Sequence, residues 1–99
     1  MKLRITPRAR SQARGRRAWW VDHRPAAPDL FDEELAQTLH LVRETPETAV
    51  RWPTARNPEL RRILMPKTHN HVYFYVDEPR AAVVIVTVWG AARGRGPKL

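Results

Sequence analysis

Arginine and histidine recur in the second half of this chain at a spacing suited to handling an anion. Arg61 and Arg62 open an apolar stretch, Ile63 to Met65. Two strand-like runs follow, His71–Val76 and Ala82–Val88, and then Trp89-Gly-Ala-Ala-Arg93-Gly-Arg95. A guanidinium makes planar, bidentate contacts to phosphate or carboxylate. An imidazole titrates near neutral pH and can exchange a proton there. If the runs form consecutive antiparallel strands, alternate ends meet. Arg93 and Arg95 then return to the edge of the 66–70 turn, which carries Lys67 and His69, with His71 just beyond it. Trp89 either stacks on a partner or fills the sheet edge against a helix. The candidate target-binding set is therefore Arg61, Arg62, Lys67, His69, His71, Trp89, Arg93 and Arg95. His69 and His71 have no cysteine or histidine cluster to complete a coordination sphere, so no metal site is expected. No cofactor is expected either.

Positioning these groups requires a scaffold, and the sequence outlines one. Lys2–Thr6 reads as a short strand. Pro7 suits the first turn of a helix capped by Thr6, with Ala9, Ala13, Trp20, Ala18 and Val21 as its buried stripe. Its other faces carry Arg8, Arg10, Arg14, Arg16 and Arg17. The segment from His23 to Pro28 ends that helix. A second helix starts after Asp29, an N-cap candidate, and places Asp32, Glu33 and Glu34 near the positive end of its dipole. Phe31, Leu35, Thr38, Leu39 and Val42 form its apolar face, and Pro46 prevents its continuation. The short connection favours an antiparallel helical hairpin. Residues 45–59, with Pro46, Pro53 and Pro58, read as a loop pinned by Trp52. Strands are expected at about 60–65, 71–76 and 82–88, the last apolar on both faces as a covered central strand is. The order β-α-α-β-β-β predicts an α+β fold: a helical hairpin packed on a small antiparallel meander. Residues 1–99 suit one domain, with a flexible basic tail at about 94–99.

The charge is strongly positive, +8 from 18 Lys+Arg against 10 Asp+Glu. It is also unevenly spread. Residues 1–25 carry eight basic and one acidic side chain, residues 29–47 six acidic and one basic, and residues 48–99 nine basic and three acidic. Such a field attracts nucleic acid or an acidic protein. The absence of cysteine excludes thiolate chemistry and disulfides and fits a cytoplasmic protein. No apolar run is long enough to span a bilayer as a helix, so no membrane partner is expected.

These residues, in this order, resemble the RelE/ParE family of bacterial toxins from type II toxin–antitoxin systems. The resemblance is carried by the run from Trp19 to Leu35 across the helical hairpin, by Leu60-Arg-Arg-Ile-Leu64, by His71-Val-Tyr-Phe-Tyr-Val76 and by Val83-Val-Ile-Val-Thr-Val-Trp-Gly-Ala-Ala-Arg93. It implies growth inhibition and a cognate antitoxin that wraps the toxin in a hetero-oligomer. Arg10, Arg14, Arg17 and Trp20 on the basic first helix are the candidate antitoxin contacts.

The family contains two mechanisms. RelE-like members cleave messenger RNA in the ribosome; ParE-like members inhibit DNA gyrase without being nucleases. RNA cleavage by a 2′-hydroxyl needs a base, cations for the developing charge on phosphate, and help for the leaving oxygen. By resemblance Arg62 falls at a basic position of the first meander strand, His71 where the second strand usually brings Arg, and Arg93 at the position after the last strand. These three are the candidate catalytic residues of a nuclease. Leu64 replaces a second basic residue, and the tail from Gly94 to Leu99 holds no Tyr. The departures favour a ParE-like gyrase inhibitor rather than an enzyme. The alternatives are a ribosome-dependent endoribonuclease, and an inactive or nucleic-acid-binding member.

Overall fold

The computed structural model describes residues 1–92 and 94–99. It contains a strand β1 (Lys2–Ile5), helices α1 (Pro7–His23) and α2 (Leu30–Glu44), a short strand β2 (Val50–Arg51) and strands β3 (Arg61–Met65), β4 (Asn70–Asp77) and β5 (Ala82–Gly90). The expected α+β order is present, with two additions. Val50 and Arg51, inside the segment read as a loop, pair with Arg62 and Arg61 as a two-residue edge strand. The meander is antiparallel, but β1 joins it in parallel beside β5, so the sheet is mixed, in the order β1-β5-β4-β3-β2. A parallel partner needs a long crossover connection, and here everything from α1 to β4 supplies it.

Local chemistry sets the helix boundaries. Thr6 caps α1, its Oγ1 accepting from the Ala9 N–H at 3.1 Å, with Pro7 at the first helical position. Asp29 occupies the corresponding place before α2, but its side chain makes no capping hydrogen bond because its backbone is already α-helical (φ −91°, ψ −4°). The helices cover one face of the sheet. Ala9, Trp20, Phe31 and Val42 pack there on Met65, Val72, Phe74, Val83, Ile85 and Val88. Ala18 and Val21, expected in the stripe of α1, are exposed.

The register of β4 and β5 shifts between Tyr73 and Phe74. Tyr73 pairs with Thr87 while Phe74 pairs with Ile85, so Val86 is an extra residue in β5. This bulge lets Ile85 and Val88 both reach the core although they are three residues apart. Bulges of this kind re-aim side chains and often stand beside active sites.

Candidate functional site

Strand alternation sends Val72 and Phe74 into the core and His71 and Tyr73 to the opposite face. Cross-strand register assembles the rest. Arg62, Tyr73 and Thr87 form one row; Leu64, His71 and Trp89 form the next. The outcome is a cleft of about 200 Å³ lined by Arg62, His71, Tyr73, Trp89 and the backbone turn after β5, with Arg95 and its flanking glycines across from them.

Each group in the cleft is held by a specific contact. The Arg62 guanidinium lies 3.6 Å from the ring centroid of Trp52, a cation–π stack that also pins the 52–60 loop to the sheet. That stack uses the face of the guanidinium. Among the described residues its N–H donors have no protein acceptor, so they are available to an anion. His71 and Tyr73 stand edge to face, with centroids 6.2 Å apart. Burial lowers the His71 pKa below the usual 6.5, and the positive charge of Arg62 lowers it further. His71 is therefore neutral at pH 7 and can accept a proton. Tyr73, only 3% exposed, also lines the cleft.

The segment after β5 lies against the sheet rather than away from it. Trp89 Nε1 donates to the Arg95 carbonyl at 2.9 Å. Leu99 lines a second depression on the same face with Leu60, Tyr75 and Val86. These contacts place Arg95 and Leu99 on the face that carries His71.

Several sequence candidates fall elsewhere. Arg61 points away from the cleft and donates to the Ala49 carbonyl at 3.0 Å, tying the edge strand to β3. Lys67 and His69 are exposed on the turn between β3 and β4 and do not line the cleft. Their turn faces the helices instead: the Lys67 N–H, the Thr68 N–H and the Thr68 hydroxyl all donate to the Glu34 carboxyl group at 2.7–2.9 Å. His69 completes the turn in a left-handed conformation, φ 58°. Arg93 lies outside the described residues. Tyr73, by contrast, lines the cleft although nothing in its residue type marks it in the sequence. Its signal was its place two residues after His71 in an alternating strand.

The helix side carries a separate surface. An apolar groove of about 260 Å³ runs between α1 and α2, floored by Ala9, Ala13, Phe31, Leu35, Ile85 and Val88. Arg10, Arg14 and Arg17 stand on its rim, with Arg17 bonded to Asp32 at 2.7 Å. Trp20, expected beside these arginines at a partner surface, is only 8% exposed, and its Nε1 donates to the Ala27 carbonyl. Its neighbour Trp19 is the exposed member of the pair, because adjacent helical residues point about 100° apart.

Helical hairpin and mixed five-stranded sheet together define a RelE-like α+β fold. Among solved structures the chain is similar to the isolated E. coli RelE toxin in its P21 crystal form, with a TM-score of 0.67 and 19% identity over 95% of this chain and 87% of that one. No protein-family model and no curated protein sequence matches. Among the described residues, no helix is long and apolar enough to cross a membrane and no cluster of three or more His, Cys, Asp or Glu is placed to hold a metal ion.

Proposed function

We propose that this protein is the toxin of a type II toxin–antitoxin pair, acting in the cytoplasm as a RelE-like, ribosome-dependent endoribonuclease. The observation that carries this reading is that His71, its pKa lowered by burial and by Arg62, shares one cleft with Tyr73 and with Arg62, whose donors lack acceptors among the described residues. In the reaction this supports, His71 takes the proton of an RNA 2′-hydroxyl. The 2′-oxygen attacks the adjacent phosphorus, and the bond from phosphorus to the 5′-oxygen breaks. Arg62 and Arg95 hydrogen-bond the phosphoryl oxygens as charge accumulates, the largest electrostatic contribution available here. The Tyr73 phenol supplies the proton that the departing 5′-oxygen takes up. The products are a 2′,3′-cyclic phosphate and a 5′-hydroxyl, and the proton on His71 returns to Tyr73 through solvent.

Tyr73 changes the balance struck from the sequence, where a missing tail Tyr favoured a non-nuclease. Gyrase inhibition keeps one supporting observation. Leu64, cross-strand from His71, is 46% exposed where a second cation would assist chemistry. The partner is proposed to be a cognate antitoxin whose acidic amphipathic segment lies in the groove rimmed by Arg10, Arg14 and Arg17. Arg93 remains a proposed target contact.

The test uses the protein freed from any partner, assayed in parallel for cleavage of ribosome-bound message and for inhibition of gyrase supercoiling. Cleavage that is lost in His71→Ala and falls in Arg62→Ala and Arg93→Ala is the expected result. Supercoiling inhibition without cleavage would establish the gyrase reading instead.

A further inference from the structure

A second cavity, about 280 Å³, opens next to the cleft and is lined by Gln12, Gly15, Arg16, Trp19, Val88 and Trp89. Trp89 lines both spaces, so the two adjoin at this residue. The cavity exists because β1 accompanies β5 only as far as Ile85. The chain then leaves β1 for α1, and the rest of this edge of β5 has no strand beside it. Gln12 stands in for the missing strand, its Oε1 accepting from the Val88 N–H at 3.0 Å.

That bond fixes the amide. Its oxygen is committed to the backbone, and its Nε2 is left as a donor with no protein acceptor among the described residues. The other walls are also fixed before any ligand arrives. Trp19 is stacked on His23 with centroids 4.2 Å apart, and the Arg16 guanidinium lies 5.0 Å from the Trp19 ring. Arg16 is itself held by Asn70 Oδ1 at 2.7 Å. The space above Gly15 is open, since a Cβ added there would meet nothing within 4 Å.

We infer that this cavity is a subsite for one unpaired RNA base, belonging to a nucleotide next to the phosphate held in the cleft. The inference rests on the RNA-cleaving reading above. Two indoles, a guanidinium plane and an oriented amide donor form the set that recognises a planar heterocycle in single-stranded RNA. Among the described residues no carboxylate lines the cavity, and an apolar peptide segment has a better seat in the groove that opens between α1 and α2. The shared Trp89 places cavity and cleft side by side, as neighbouring nucleotides of one RNA strand require.

The test is equilibrium binding of a trinucleotide blocked against cleavage by a 2′-O-methyl group, compared with analogues lacking either flanking base. The variant is Gly15→Leu, which fills the cavity from a solvent-facing helical position. Gly15→Ala, which leaves the cavity open, is the control for the helix. Gly15→Leu is expected to melt no lower than the wild type and to bind the complete trinucleotide about tenfold more weakly, in keeping with the worth of one stacked base. The analogue lacking the base in question should bind the wild type and Gly15→Leu equally. Complete trinucleotide bound equally by wild type and Gly15→Leu overturns the subsite while leaving the cleft reading intact. Failure of the wild type to bind any of the oligonucleotides overturns the RNA reading and the subsite together.

Discussion

His71 is set by two neighbours of different kinds. Burial disfavours its charged form, and Arg62 adds to that from the adjacent strand. A general base works only when deprotonated, so cleavage should persist to lower pH than an unperturbed imidazole would allow and should fall on the acid side of the lowered value. Arg62→Gln removes the positive charge but not the burial. Its residual activity should therefore lose its acid limb at higher pH than the wild type does, alongside a large drop in rate. The pH profile of single-turnover cleavage checks both points, and an unmoved limb would separate Arg62 from His71. The sequence made His71 and Arg62 visible through their types and alternation. It hid Tyr73, because aromatic residues in a strand are ordinary core material. It also groups Lys67 and His69 with His71 and Arg62 by charge and turn, whereas the structure sets both at exposed positions that do not line the cleft.

At the scale of elements, the turn between β3 and β4 hangs on Glu34. Phe31, Glu34, Thr38 and Val42 are the buried residues of α2, spaced three and four apart, so Glu34 lies on the core stripe rather than on the acidic flank. That spacing was legible; the purpose of a carboxyl group on it was not, since its partners come from a turn over thirty residues away. Behind it the Asn70 amide bonds Thr68 and in turn accepts from Arg16 on α1, so the network joins both helices to the strand that carries His71. Glu34→Ala leaves the Thr68 donors without an acceptor and should cost about 2–4 kcal/mol in urea unfolding. The two helix starts make a paired comparison. Thr6→Ala should cost about 1 kcal/mol and Asp29→Ala close to nothing, because only Thr6 makes the capping bond. The hairpin and the three long strands could be read from periodicity and proline positions. The parallel placement of β1 and the two-residue β2 could not, because pairing partners are settled by three-dimensional packing and such short runs carry no period.

Across the whole molecule, the positive charge that the sequence places at both ends is gathered on two separate surfaces. Arg10, Arg14 and Arg17 border the groove between the helices, while Arg62 and Arg95 border the cleft on the other face of the sheet. A segment confined to the groove therefore leaves the cleft open to a small ligand. It can still block a large one such as the ribosome, which must approach over a wide surface. An acidic amphipathic peptide bound in the groove at one hundred times its Kd should stabilise the protein by about 2.7 kcal/mol and raise its Tm by about 10 °C or more. The double variant Arg10→Glu/Arg14→Glu should lose most of that shift, and added salt should slow association more than it speeds release. The same peptide should leave the affinity for a blocked trinucleotide unchanged while suppressing cleavage on ribosomes. Competition between peptide and trinucleotide would instead mean that the segment continues around the sheet into the cleft, so that neutralisation acts on the His71 site directly.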